Sequence, residues 1–232
     1  MKRKLKERLD KGAISQDLYN EITKRWISTE DEGERKERSS DQKNEDHETS
    51  EKSSTVNVMG LGKFGDVYAK KLWVSGSVKV SGNIDVLEMK VSGAASVGCD
   101  VKVSSDLEIA GMLRTGGSIK ADVIDINGVI ESEGVDCNSI KINLGSTRGK
   151  IVTLHCDTVH ISRQWRRFYS ASIRIDEITC RTADLEGVKA KRIVGENVIL
   201  GDGCDVDYVE ASTLKLSENA VVRKKNVRNE EV

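Results

Sequence analysis

Proline is absent from all 232 residues, and aromatic residues make up only 4% of them. The first absence suits a chain whose backbone N–H groups are all needed in hydrogen-bonded ladders, because proline lacks that donor. The second argues against a large round interior, since few big side chains exist to fill one. A narrow core of Val, Ile and Leu fits what remains. A surplus of charge is missing too: 37 Lys and Arg face 38 Asp and Glu, a formal net charge of −1. Such a chain has no overall field to draw in nucleic acid or an anionic membrane. No run approaches the roughly 20 apolar residues of a membrane-spanning helix, and the basic start, Met1 to Lys6, lacks the apolar stretch of a secretory signal. A cytoplasmic location is expected, with any membrane association peripheral and at the inner face of the cell membrane. The cysteines are few, five in all, and form no C-x-x-C pair, so neither a disulfide framework nor a zinc site is signalled. Cys99, Cys137, Cys156, Cys180 and Cys204 read as reduced, small core residues.

What is present falls into regions of different texture. Residues 1–27 read as a helical hairpin: Leu5 and Leu9 share a face, Gly12 sits where a helix C-cap would, and Ser15 can N-cap a second helix carrying Leu18, Ile22 and Trp26. Neither helix is long enough to be stable alone, so the pair must pack on something. Residues 28–55 are almost wholly polar and charged. They cannot bury enough surface to offset chain entropy and read as a disordered linker. From 56 to 222 the chain turns to short Val- and Ile-rich phrases punctuated by glycine. Residues 223–232 read as a disordered tail.

The phrases repeat. Val74-Ser-Gly76, Val91-Ser-Gly93, Ile109-Ala-Gly111 and Ile126-Asn-Gly128 recur every 17 to 18 residues, with Ile142 and Val159 extending the apolar ladder and Gly145 the glycine one. A second glycine track runs through Gly82, Gly98, Gly116 and Gly134. A period near 18 with apolar residues alternating inside each phrase is what a coil of three roughly six-residue sides requires, its corners taking glycine. The expected fold is all-β, a parallel β-helix in which Val74, Val91, Ile109, Ile126, Ile142 and Val159 form a core ladder. Gly76, Gly93, Gly111, Gly128 and Gly145 mark its corners, which need positive φ. About nine turns fit, a rod of about 40 to 45 Å at the usual strand spacing. Leucine-rich and helical repeats are excluded by the apolar spacing of two. A left-handed hexapeptide helix competes only around Ile193 to Cys204.

No catalytic constellation emerges. His47 lies in the linker, and His155 with His160 lacks the third ligand of a catalytic zinc site. No nucleophile elbow, phosphate-cradling loop or zinc-protease motif occurs. The expectation is a non-enzymatic protein with no catalytic residue, metal or cofactor. One break in the repeat, Ser162 to Ser170, holds Trp165, Arg166, Arg167, Phe168 and Tyr169. A loop bulging from a coil corner explains it, either folding back over the rod or offering a partner a docking point.

The phrases from Val74 to Gly134 resemble the repeat of bactofilins, prokaryotic proteins that form nucleotide-independent filaments. The segment from Ser172 to Val222, above all Val188 to Ala211, is similar to the C-terminal half of a longer branch of that family, the polymer-forming cytoskeletal proteins. The resemblance implies a right-handed, triangular β-helix that joins end to end into a cytoskeletal homopolymer and positions other cell components. Uncapped tips are templates for a further copy, which nominates Val56, Val58, Leu214, Leu216, Val221 and Val222 as end-to-end contacts. Other proteins could dock through the hairpin or the 162–170 loop. The competing expectations are a hexapeptide-like trimeric transferase or hydratase, and a monomeric β-helical adaptor whose hairpin folds over one tip.

Overall fold

The computed structural model describes residues 55–144, 148–163 and 171–231. The hairpin, the linker up to residue 54, Gly145 and the aromatic and arginine residues of 164–170 lie outside the described residues. Within the compact unit Glu51–Val232, the described chain is all-β. Its 18 strands belong to one sheet in which every pairing is parallel. Parallel neighbours connected in sequence order mean that the chain winds, and it does so through about ten coils. The result is a β-solenoid.

Alternation explains the winding. Inward residues come in pairs two apart, such as Val56 with Val58, Gly62 with Phe64, and Val67 with Ala69, and each pair stacks on its counterpart a coil later. Three such pairs make one coil. The best-filled column runs Val58, Val74, Val91, Ile109, Ile126, Ile142, Ile161, Leu185, Leu200 and Leu216. Its neighbour runs Val56, Leu72, Met89, Leu107, Ile124, Ile140, Val159, Ala183, Val198 and Leu214. Almost all these side chains are buried. The single buried polar residue among those described, Ser132, donates its hydroxyl to the carbonyl of Gly134 at 2.7 Å.

Two boundaries differ from the expectations. Val159 is not in the ladder of Val74 and Ile126: it pairs with Ile140, while Ile142 pairs with Ile161. The coil between Ile142 and Ile161 is two residues longer than a 17-residue period allows, so a fixed step lands on the inward residue of the next column. The end of the domain also moves. Val221–Glu231 is a strand paired with Asp205–Leu216 as far as Glu231, so residues 223–231 complete a last coil and are not a disordered tail. At the other end, Thr55 already belongs to the first strand.

At Gly76, Gly93, Gly111 and Gly128 glycine is required for closeness and not for positive φ. A Cβ on Gly76 would lie 2.0 Å from the carbonyl oxygen of Gly60, one on Gly93 1.9 Å from that of Gly76, and those on Gly111 and Gly128 2.0 Å from the glycine carbonyl below. Each of these carbonyls accepts from the next level, for example from Ala94 N–H at 2.8 Å onto Gly76. Positive φ occurs at Gly60, Gly187 and Gly203. The second glycine track is not a single column: Gly98 sits on Ser81, whereas Gly82 sits on Gly65 and Asp66. A side-chain ladder holds that corner. The Asp66 carboxylate accepts Asn83 N–H at 2.7 Å, Asn83 accepts Asp100 N–H at 3.2 Å, and Asp100 accepts Ser118 N–H at 2.7 Å.

Ile126→Lys, which places a charge in a column one side chain wide, should cost about 4 kcal/mol or more and abolish the cooperative thermal transition followed by circular dichroism. Gly93→Ala should cost about 2 kcal/mol or more by forcing two levels apart. Gly65→Ala, whose new methyl meets nothing within 4 Å, should melt like the unaltered chain.

Candidate functional site

A solenoid leaves its chemistry at its tips, its corners and its outward faces. The residues nominated for end-to-end contact do not share one situation. Val56 and Val58 belong to the first coil, where Val58 is buried and Val56 half-buried. Beside them Phe64 turns its ring onto Gly62: a Cβ there would lie 2.8 Å from the ring and 2.9 Å from Val58 Cγ1. Met59 and Leu61 project from the turn between the first two strands at 85% and 92% exposure. These two were missed by the ladder argument, because they sit at a turn and not in a column. The first tip is thus apolar both in its core and at its rim.

The last tip is built otherwise. Leu214 is fully buried one coil inside the end and cannot serve as an end contact, which corrects that expectation; the strand Val221–Glu231 covers it. Leu216 and Val221 are exposed, and Val222 is half-buried. The column that rises through Ile178, Ile193 and Val209 terminates on Lys225. Arg223 flanks it and bonds Asp205 at 2.6 Å and Asp207 at 2.9 Å. A polar residue at an inward position of an edge strand is a device by which sheets blunt their edges.

The interrupted corner is described only at its flanks. Arg163 donates its N–H to the Glu186 carboxylate at 3.1 Å. Its guanidinium crosses two later coils, lying where Cβ atoms of Gly187 and Gly203 would be. Arg163, at the end of its strand, thus lies beside a positive-φ glycine pair, which no spacing in the sequence announces. Trp165, Arg166, Arg167, Phe168 and Tyr169 lie outside the described residues. His155 and His160 stand on separate strand phrases facing outward, and His160 Nδ1 meets the Asp184 carboxylate at 3.1 Å. Among the described residues no group of three or more His, Cys, Asp and Glu is arranged to hold a metal ion, and no helix is long and apolar enough to cross a membrane. A shallow groove beside Cys137 is lined by Lys102, Lys120, Asp122 and Asp136, charges of both signs without a converging set.

All five cysteines are free thiols. Cys137 and Cys156 occupy the same inward position on successive coils, and Cys180 follows the pair of Thr179 with His155 one coil on. Cys137 and Cys204 are buried, Cys156 and Cys180 half-buried, whereas Cys99 is exposed at a turn and so departs from the core reading. Contact with Cys137, then burial, pushes the Cys156 thiol well up. Burial, with the Asp157 carboxylate adding to it, pushes Cys180 up to about 11, and burial does the same for Cys204. These thiols stay protonated and weakly nucleophilic, since the thiolate is the reactive form.

A thiol whose folded pKa is raised favours folding until the unfolded chain begins to lose its proton. Stability should therefore be full below about pH 9 and fall as the pH rises towards about 11. Urea midpoints at neutral pH and at pH 10 measure the loss, which should shrink in the double variant Cys180→Ala/Cys204→Ala. Iodoacetamide on the folded chain at neutral pH should label Cys99 well ahead of Cys137, Cys156, Cys180 and Cys204. No protein-family model, curated protein or solved structure matches the chain.

Proposed function

We propose that this protein is a non-enzymatic structural scaffold, a stiff β-helical rod that assembles end to end and positions other cell components. The observation that carries the reading is the first-coil tip, where the apolar columns begin and the half-buried Val56 and partly exposed Phe64 sit beside the exposed Met59 and Leu61. An open strand edge over an apolar core is a template for another chain. The resemblance to bactofilins agrees with it and supplies the finer features of the proposal: a right-handed, triangular cross-section, assembly without nucleotide or cofactor, and a cytoplasmic filament whose attachment to a membrane, if it has one, is peripheral. Partner proteins would dock through the N-terminal region or the Trp165 to Tyr169 segment.

Negative-stain electron microscopy and sedimentation of the full chain test this. Rods joined at their tips, formed equally with and without ATP, GTP or chelator, are the expected result. A discrete three-fold particle with pockets between subunits would replace the scaffold by a transferase-like assembly, and a single-chain species at every concentration would end the self-assembly reading.

A further inference from the structure

Three of the five cysteines share one column. Cys137 pairs with Cys156, and Cys156 is level with Cys180, because His155 pairs with Thr179 on one side of it and Thr158 with Thr182 on the other. Elsewhere the same column holds Ala69 and Val86 near the first tip and Ala211 and Val227 near the last. Packing asks only for a small side chain there, yet three successive levels supply thiols. We propose that Cys156 and Cys180 are the site of a reversible disulfide, formed by exchange with a small-molecule disulfide of the glutathione type, which staples the two coils on either side of the interrupted corner. Such a site exists whether or not the rods assemble.

Register sets the two α-carbons about one strand spacing apart, roughly 4.8 Å, within the range of about 4.4 to 6.8 Å that a disulfide spans. Parallel neighbours hold their β-carbons about as far apart, whereas the bond draws them to about 3.8 Å, so closure pinches the two levels by about 1 Å. A bond strained in this way is readily reduced, as regulatory disulfides are. Room for the movement exists, because the next level places Gly195 over Cys180, where an added Cβ would lie 3.4 Å from its Sγ. The residues that follow the two cysteines keep the levels in step: Arg181 donates from Nε and Nη2 to the Asp157 carboxylate at 2.7 and 2.6 Å, and its N–H to the Asp157 carbonyl at 3.0 Å. Cys137 is the other neighbour of Cys156, but it is buried, whereas Cys156 and Cys180 are both half-buried and open to a solute. The circuit that joins them is also long, 24 residues against 19 from Cys137 to Cys156 and 15 from Cys180 to Gly195. A bridge across a longer loop removes more conformations from the unfolded chain.

The chemistry is a two-electron exchange in two moves. Cys180, pushed up less than Cys156, reacts first: its thiol loses a proton to solvent, and the thiolate attacks one sulfur of the small disulfide. A mixed disulfide forms and one small thiolate leaves, taking up a proton. Cys156, deprotonated in turn, attacks Cys180 Sγ and displaces the second half of the reagent. The two cysteines are thereby oxidised to one S–S bond, and the reagent is reduced to two thiols. Few thiolates are present at neutral pH in thiols raised by burial, so the staple closes slowly. A reducing pool of small thiols reopens it, which leaves the pair open in a reducing compartment until the poise turns oxidising.

The test uses the full chain with Cys99→Ser, which removes the exposed thiol and any bridge it would make between chains. The folded protein is incubated with oxidised glutathione, blocked with iodoacetamide and digested without reductant. Mass spectrometry should find the peptides bearing Cys156 and Cys180 joined, and dithiothreitol should separate them. The circular dichroism melt should rise by about 5 °C on oxidation and return on reduction. Cys180→Ala should abolish that link and the shift, whereas Cys137→Ala and Cys204→Ala should keep both. The same peptide mapping on the unaltered chain needs no substitution and decides the matter if a variant fails to fold. A dominant link between Cys137 and Cys156 would overturn the choice of partner. Glutathione adducts without a bridge, or thiols that all stay free through prolonged exposure, would overturn the site, and a link that leaves the melt unmoved would overturn its role as a staple.

Discussion

Register between successive levels is the constraint on which the structure depends. Parallel strands about 4.8 Å apart leave each side chain room for one neighbour above and one below, so a level that fills the cross-section badly cannot be rescued from elsewhere. Aliphatic residues of nearly equal volume therefore recur in the two columns that start at Val56 and Val58, whose one small member is Ala183 beneath Val198, while elsewhere small and large members alternate, as in Gly62, Val78, Ala95 and Leu113. The outward residues obey the same spacing. Lys71 reaches Glu88 at 2.7 Å, Lys90 reaches Glu108, Arg114 reaches Glu131 at 2.9 Å, and Arg192 reaches Glu210 at 3.3 Å, each across one level. These pairs are exposed and individually contribute a few tenths of a kcal/mol. Their service is to penalise a slipped register, where like charges would meet.

The tips follow from the same geometry. In an ordinary globular domain the core is enclosed on all sides, but a stack of coils has two levels with a missing neighbour. Whatever occupies the inward positions of those two levels decides how the rod meets its surroundings. Here one outermost level is aliphatic and aromatic, and the other includes a lysine where nine levels below it carry Val, Ile or Leu. Nothing in the middle of the rod could reveal this difference, because every interior level resembles the next.

Much of the fold was legible in advance for a physical reason: inward positions two apart and a repeated coil length are both one-dimensional signals. Val74, Val91, Ile109, Ile126 and Ile142 stack as their spacing predicts. What escaped was wherever a coil changes length or a column changes chemistry. The long coil before Ile161 displaced Val159 by one column, and Lys225 in an inward position made the last strand read as solvated tail. Positive φ was expected at corners where contact is in fact the reason for glycine, since composition shows that a Cβ is missing without showing what would strike it. The site fared less well than the fold. Leu214 reads as an end surface in the sequence because the charged residues after Val222 hide a further strand, and the protrusion of Met59 and Leu61 from a turn has no periodic signature.

The glycine seam has a consequence for how such a rod is seen from outside. From Gly60 through Gly128 one edge of the solenoid is so thin that the backbone of one level touches that of the next, while the edge bearing Asp66, Asn83, Asp100 and Ser118 is furnished with polar groups. A bare rib and a dressed rib give the rod a keyway. A molecule laid along that part of the flank would meet backbone on one rib and polar side chains on the other.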